Sequence, residues 1–184
     1  MRILGISGSL RAGSYNRMLL ETAADLLVDG AELTIFPGLK AVPPYDVDDD
    51  IEPAPAAVQR LRRAIAAADA VLFATPEYNS SLPGQLKNAL DWASRPIATN
   101  VLRNKPVAVV GASTSMFGAV WAQAELRKVL GATGARVLDT ELPVAHAQTR
   151  FGADGRLADP ELRSGLAEVV YALLGEAIPL AAAA

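Results

Sequence analysis

Residues 8–16 have the types and spacing of a loop that binds phosphate. The loop follows an apolar run at residues 3–6, and a helical pattern begins near its end. Backbone N–H groups at a helix start, the helix dipole and short polar side chains all attract an anion. The side chains that could take part are Ser9, Arg11, Ser14 and Asn16. Three of them are neutral donors and one is positively charged, which suits the terminal monophosphate of a ligand.

Two better-known phosphate loops do not fit this stretch. The spacing from Gly8 to Gly13 matches the start of a P-loop, but Ser14 stands where that loop has its lysine. A nucleoside triphosphate is therefore a poor fit. The glycine pattern of a Rossmann dinucleotide site is also missing. The alternative without a ligand is an ordinary strand–helix turn in which a serine or asparagine caps the helix.

A second polar stretch, residues 75–84, follows another apolar run. Its Tyr78 is an amphipathic ring that could stack on a planar heterocycle. The Asn79 amide could both donate to and accept from ring amide groups. In the alternative, Tyr78 packs beneath the loop and Asn79 closes an Asx turn. From these residues alone the two interpretations are evenly balanced.

Hydrophobic periodicity predicts the elements that position these loops. Apolar runs predict strands over residues 2–6, 31–36, 70–74, 107–110 and 135–138. Helical spacing predicts helices near residues 16–29, 55–67, 84–95, 119–132 and 160–175. This alternation indicates an α/β fold, a doubly wound five-stranded parallel sheet with helices on both faces. Ligands of such sheets bind beyond the carboxyl ends of the strands, here after the first, third and fourth strands.

Length, charge and composition limit the function classes. The chain suits a single domain, which we place at residues 1–178, with a frayed tail at 179–184. A net charge of −3 argues against non-specific nucleic-acid binding, and the lack of cysteine excludes disulfides and thiolate metal sites. No leader or membrane-spanning segment is recognisable. We therefore expect a soluble cytoplasmic protein that binds neither nucleic acid nor membranes.

Two charged stretches are interpreted as solvated surface. The acidic segment at residues 46–52 lacks the turn glycine and the closing glutamate of an EF-hand, so no metal site is expected there. Arg60, Arg62 and Arg63 are interpreted as the polar face of a helix rather than a nucleic-acid patch.

Taken together, the two polar stretches resemble the NADPH-dependent FMN reductase family. They read Gly8-Ser9-Leu10-Arg11-x-x-Ser14-x-Asn16 and Pro76-Glu77-Tyr78-Asn79-x-x-x-Pro83-Gly84-x-Leu86-Lys87-Asn88-Ala89-x-Asp91-Trp92. Residues 111–113 and Gly118 are similar to that family's loop after the fourth strand, so the resemblance covers most of the chain. Two long motifs in the expected order make it highly specific.

The resemblance implies a flavodoxin-like fold that binds FMN, with NADPH or NADH as hydride donor. It implies that the FMN phosphate is held by Ser9, Arg11, Ser14 and Asn16. It also implies that Pro76, Glu77, Tyr78 and Asn79 line the isoalloxazine ring and that Ser113 and its neighbours complete the pocket. The full set of expected cofactor-binding residues is Ser9, Leu10, Arg11, Ser14, Asn16, Pro76, Glu77, Tyr78, Asn79, Ser113 and Gly118.

The same resemblance implies an enzyme that passes electrons from NAD(P)H through FMN to a flavin, quinone or similar small acceptor. It implies a homodimer or homotetramer packed through the helices after the third and fourth strands, where Trp92 and Trp121 fall. In the alternative, either tryptophan caps the core of its own monomer, although large aromatics also anchor interfaces. The preference for NADPH over NADH depends on the family likeness alone.

FMN carries the hydride chemistry in such an enzyme, so no catalytic side chain is expected. His146 is interpreted as a surface or interface residue in a loop after the last strand. Backbone N–H groups of residues 111–118 are hypothesised to stabilise negative charge on the reduced ring near N1 and O2. Two alternative functions stay open: a flavodoxin-like electron carrier without its own nicotinamide oxidation, and a non-redox protein of the same fold.

Overall fold

A computed structural model describes residues 1–178. Its central element is a parallel β-sheet. The predicted tail at residues 179–184 lies outside the described residues. The strands are β1 (Arg2–Ser7), β2 (Glu32–Ile35), β3 (Ala70–Thr75), β4 (Pro106–Ala112), β5 (Arg136–Val137) and β6 (Pro143–Val144). Every residue of β3 and β4 is buried, as the continuous apolar runs predict for parallel strands covered on both faces.

The strand order is β2-β1-β3-β4-β5, with β6 also paired to β4. β5 pairs with the start of β4, at Pro106 and Val107, and β6 pairs with its end, at Gly111 and Ala112. The two short strands therefore share one position at the edge of the sheet. The apolar runs predicted five strands, and His146 was assigned to a loop after the last of them. β6 was not among the predicted strands, because a two-residue strand that includes a proline leaves no hydrophobic period to detect.

Five helices cover the two faces of the sheet. They are α1 (Tyr15–Asp25), α2 (Ala56–Ala67), α3 (Gly84–Ala93), α4 (Val120–Ala132) and α5 (Pro160–Ala177). One hydrophobic core lies beneath α2, α3 and α4, and the other lies beneath α1 and α5. The predicted doubly wound α/β architecture is confirmed. The first helix ends at Asp25 rather than near residue 29, and the Leu26 and Leu27 amides close a tighter turn onto Ala23 and Ala24.

Trp92 and Arg62 form part of the core beneath α2 and α3. Trp92 has no exposed surface, and its Nε1–H donates to the Pro43 carbonyl at 2.9 Å. The Arg62 guanidinium lies 5.9 Å from the Trp92 ring centre and pairs with Asp50 at 3.4 Å. The interpretation of Arg62 as a solvent-facing residue was therefore wrong, because a long side chain can pack its stem while its charge finds a partner.

Within residues 1–178, no helix combines the length and the apolar character needed to cross a membrane.

Candidate cofactor site

The loops after β1, β3 and β4 meet at the carboxyl edge of the sheet, as the topology predicts. Between them lies a cavity of about 160 Å³. Its lining residues are Ser9, Arg11, Tyr15, Asn16, Pro76, Glu77, Tyr78, Ala112, Ser113 and Thr114. Seven of the eleven expected cofactor-binding residues are thus brought together. The other four, Leu10, Ser14, Asn79 and Gly118, lie in the same loops outside this lining.

The loop after β1 leaves a row of backbone donors without partners. The N–H group of Ser9 bonds to the Ser7 hydroxyl, and that of Arg17 bonds to the Ser14 hydroxyl. Between them, the backbone N–H groups of residues 10–16 donate to no acceptor within residues 1–178. Gly13 allows the chain to turn there, since its φ of +67° is one that other residues rarely adopt. The loop therefore forms a nest of donors at the start of α1, suited to an anion.

A positive charge is held beside this nest. The Arg11 guanidinium lies 5.1 Å from the centre of the Tyr15 ring, and Tyr15 packs on Phe151 with ring centres 5.4 Å apart. Within residues 1–178, Arg11 has no carboxylate partner. Its charge is therefore available to a ligand. Tyr15 was not among the predicted site residues, although its spacing of four residues from Arg11 is a signal that could have identified it.

Asn16 uses its amide to join α1 to the end of β4. Its Nδ2 donates to the Ala112 carbonyl and its Oδ1 accepts from the Ala112 N–H, both at 2.9 Å. The side chain is almost fully buried. Asn16 therefore fixes the loop after β1 against the loop after β4, and one N–H of its amide remains for a ligand.

The residues after Pro76 form a tight two-residue hairpin. The N–H groups of Tyr78 and Ser81 each donate to the other's carbonyl, at 3.0 and 3.1 Å. Asn79 and Ser80 form the turn with φ values of +52° and +58°, which is the geometry of a type I′ turn. Tyr78 is 53% exposed, so it does not pack beneath the loop. Its ring is presented at the mouth of the cavity.

Glu77 belongs to the cavity lining, and its side chain reaches the start of α4. Its Oε2 accepts from the backbone N–H groups of Trp121 and Ala122, at 3.1 and 3.2 Å. These are donors of the first turn of α4, which have no acceptor within a helix. Glu77 is thus a long-range cap that no feature of the sequence indicates.

Most amides at the start of the loop after β4 are used within the protein. Those of Ala112, Ser113 and Ser115 bond to Asn16, Val144 and the Ser113 hydroxyl. The hypothesis that backbone N–H groups of residues 111–118 stabilise charge on the ring is therefore narrowed to those of Thr114 and residues 116–118, which donate to no acceptor within residues 1–178. Buried Gln123 supports the loop from below, because it donates to the Gly118 carbonyl and accepts from the Leu142 N–H. Gln123 was not among the predicted site residues, because its supporting role is visible only from its packing in the folded chain.

A larger depression, about 580 Å³, lies at the opposite edge of the sheet. It is lined by Arg95, Arg103 and the ends of α3 and α4. Helix C-termini carry partial negative charge, which these arginines offset. The convergent donors and the exposed aromatic side chains lie instead at the carboxyl edge, which is therefore the candidate site.

A sheet in the order 2-1-3-4-5, with an anion nest after its first strand, defines a flavodoxin-like protein of the class that holds FMN at this edge. The residues fit that group, because Arg11 and the exposed Tyr78 both line the cavity, beside a nest of N–H groups that have no acceptor within residues 1–178. The chain belongs to the NADPH-dependent FMN reductase family, whose family model matches residues 1–149. It is an oxidoreductase that uses FMN and a nicotinamide donor, as the resemblance implied.

Individual relatives agree with this assignment. The chain is 43% identical to an NAD(P)H-dependent FMN reductase of Pseudomonas aeruginosa, over 94% of this chain and 93% of the relative. It is 35% identical to a 2-hydroxy-1,4-benzoquinone reductase of a Burkholderia species, over 90% of each chain. Among solved structures, FerB of Paracoccus denitrificans, a flavoenzyme NAD(P)H:(acceptor) oxidoreductase, has a TM-score of 0.84 at 35% identity and 96% coverage of both chains.

Proposed function

We propose that residues 1–178 form a single FMN-binding domain that transfers electrons from NAD(P)H to a small quinone or flavin. The observation that carries the proposal is the row of backbone donors at residues 10–16, which, like the charge of Arg11, have no partner within residues 1–178. A phosphate monoester satisfies both features at once, since it offers several acceptor oxygens and a negative charge.

In this proposal the loop after β1 holds the phosphate of FMN. Arg11 supplies the charge, Ser9 and Ser14 supply hydroxyls, and Leu10 contributes its backbone N–H. Asn16 keeps the loop in register with β4 through its two bonds to Ala112 and directs its remaining N–H to the phosphate. Because these donors are ordered before the ligand arrives, binding costs little further ordering of the chain.

The loops after β3 and β4 would hold the ring system of FMN. Pro76 and Tyr78 line the cavity from the loop after β3, and Ser113 lines it from the loop after β4. Asn79 and Gly118 lie in the same two loops and would contact the ring once it is bound. Bound FMN supplies the hydride and electron transfer chemistry. The residues of this chain bind, orient and shield it, and no side chain of the site is required as an acid or base.

The acceptor is proposed from the chemistry of the cavity mouth. Relatives are described as quinone reductases, among them proteins of Escherichia coli and Pseudomonas putida. The loops after β1, β3 and β4 and the first turn of α4 carry large exposed side chains, Leu10, Tyr78, Met116, Phe117 and Trp121. Such side chains favour planar, largely apolar acceptors over charged ones, because aromatic faces stack and desolvate together.

We also propose that the chain forms a homodimer or homotetramer. The support is the exposed pair of Phe117 and Trp121, packed edge to face with ring centres 4.8 Å apart at the start of α4. Large exposed aromatics of this kind often anchor interfaces. A single monomer mass in light scattering, unchanged over a wide range of protein concentration, would contradict this. A cytoplasmic location stays a prediction from the sequence.

An anaerobic titration of the purified protein, reconstituted with FMN, tests the function. Addition of NADPH or NADH should bleach the visible absorption of the flavin, and a quinone should restore it. Bleaching by dithionite but by neither nicotinamide would point to an electron carrier instead. A protein that takes up no FMN would end the proposal.

A further inference from the structure

Helix α4 lacks a cap of its own. Its N-cap residue, Ala119, has a left-handed backbone with φ +63° and no side chain that could accept a hydrogen bond. The first turn contains no acidic residue either. A helix start without a local acceptor leaves several backbone N–H groups without a partner in the helix, which is unfavourable unless another group accepts from them.

Glu77 supplies the missing acceptor from 44 residues away in the chain. Its carboxylate bonds to the N–H groups of Trp121 and Ala122, the positions that a local cap would satisfy. The negative charge also matches the positive end of the helix dipole. The start of α4 therefore already holds an anion that belongs to the protein.

Further contacts hold the two segments that the Glu77 carboxylate joins. Glu77 lies between Pro76, whose carbonyl accepts from the Thr75 hydroxyl at 2.8 Å, and the hairpin that begins at Tyr78. On the other side, Gly118 is packed so tightly that a Cβ there would lie 2.6 Å from a backbone atom of Pro143. The carboxylate thus connects two fixed walls of the candidate site.

We propose that Glu77 is a positioning residue. Its carboxylate caps α4 and so sets the separation between the Tyr78 hairpin and the loop after β4. The resemblance implied that Glu77 lines the flavin ring. In the structure Glu77 belongs to the cavity lining, and one oxygen of its carboxylate accepts from two backbone N–H groups of α4. Its influence on flavin would therefore act through the geometry of the two walls. That influence rests on the proposed function, whereas the cap itself does not.

The cap is tested first in flavin-free protein, by amide hydrogen exchange of Trp121 and Ala122. In Glu77→Ala, these two amides should exchange about tenfold faster, as expected for loss of a helix cap. Glu77→Gln keeps one amide oxygen as acceptor and should restore most of the protection. Glu125→Ala removes a carboxylate further along α4, one that forms no ion pair within residues 1–178, and should change neither amide. Unchanged exchange in Glu77→Ala would refute the cap.

The positioning role is tested next, by the FMN dissociation constant and the visible spectrum of bound flavin. Glu77→Ala should weaken FMN binding by about tenfold and shift the flavin absorption, and Glu77→Gln should behave nearly as wild type. Faster exchange with unchanged FMN binding and spectrum would show a cap without a positioning role, and would overturn the proposal. A loss in Glu77→Gln equal to that in Glu77→Ala would also overturn it, since it would mean that flavin needs the charge itself. Failure of NADPH to bleach flavin in the wild type would instead count against the proposed function alone.

Discussion

Helices α1 and α4 begin at the same edge of the sheet, yet their first turns are treated in opposite ways. At α1, the backbone N–H groups of residues 10–16 have no acceptor within the described chain, and the nearby Arg11 has no acidic partner. At α4, the carboxylate of Glu77 accepts from the first turn, and the preceding Gly118 is packed against Pro143.

The difference shows which helix start is available to a ligand. A helix N-terminus attracts an anion wherever it is left open. The start of α1 is open, so an external phosphate can bind there. The start of α4 is closed by an internal carboxylate, so it acts as a fixed wall. If this comparison is right, substitutions at the open start of α1 and at the packed start of α4 should have different effects.

The largest expected effect is the loss of stability in Gly118→Ala. A Cβ there would lie 2.6 Å from a backbone atom of Pro143, and the φ of +57° disfavours any side chain. Left-handed strain and overpacking together should lower the free energy of unfolding by about 3 kcal/mol. Urea denaturation of the flavin-free protein measures it.

Gly13→Ala is the matched control for that change. Gly13 has a similar φ of +67°, but nothing lies within 4 Å of the position a Cβ would take. Only the strain remains, so the loss should be about 1 kcal/mol. If the two substitutions cost the same, the contrast between a packed and an open loop is wrong.

Asn16→Ala should break the connection between the two regions. It removes two bonds of 2.9 Å that join a buried side chain to the backbone of Ala112. We expect a loss of about 2–3 kcal/mol in unfolding free energy, together with weaker FMN binding.

Asn100→Ala removes a similar pair of bonds, to Thr133 and Leu102, at the other edge of the sheet. It should lower stability while the FMN dissociation constant stays the same. Equal weakening of FMN binding by both variants would mean that Asn16 acts only through general stability.

Arg11→Ala should raise the FMN dissociation constant by roughly tenfold to a hundredfold, since it deletes a charge-assisted bond to phosphate. Fluorescence quenching on FMN binding measures the effect. Arg17→Ala, in which the lost charge is already paired with Glu21 at 3.0 Å, should change it only slightly. An unchanged constant in Arg11→Ala would remove Arg11 from the phosphate site.

The smallest effect is expected from Tyr15→Leu, which takes away the ring beneath the Arg11 guanidinium. A cation–π contact at an exposed site contributes about 0.5–1 kcal/mol, so FMN binding should weaken by only a few fold. Tyr15→Phe keeps the ring and should match wild type. A loss in Tyr15→Phe would assign the role to the hydroxyl instead.

The sequence predicted much of the fold because its signals there are local. The runs that became β3 and β4 are continuous and apolar, and the helices repeat at regular spacing, so their presence could be recognised without knowing their neighbours. Local signals could not decide whether Trp92 lies at an interface or in the core of its own monomer. Its full burial depends on Pro43 and Arg62, which approach it only in the folded chain.

The candidate site also combines features that local sequence indicates with features that depend on distant contacts. The glycine, the hydroxyls and the arginine of the loop after β1 indicated a phosphate by themselves, because a nest of donors is built from consecutive residues. The roles of Asn16 and Glu77 depend on partners 96 and 44 residues away. By itself, the sequence predicted an anion site at the start of α1, since such a site requires only local backbone and side-chain donors. Only the tertiary structure decided that the start of α4 is closed, because a hydrogen bond between distant segments exists only once the sheet has brought them together.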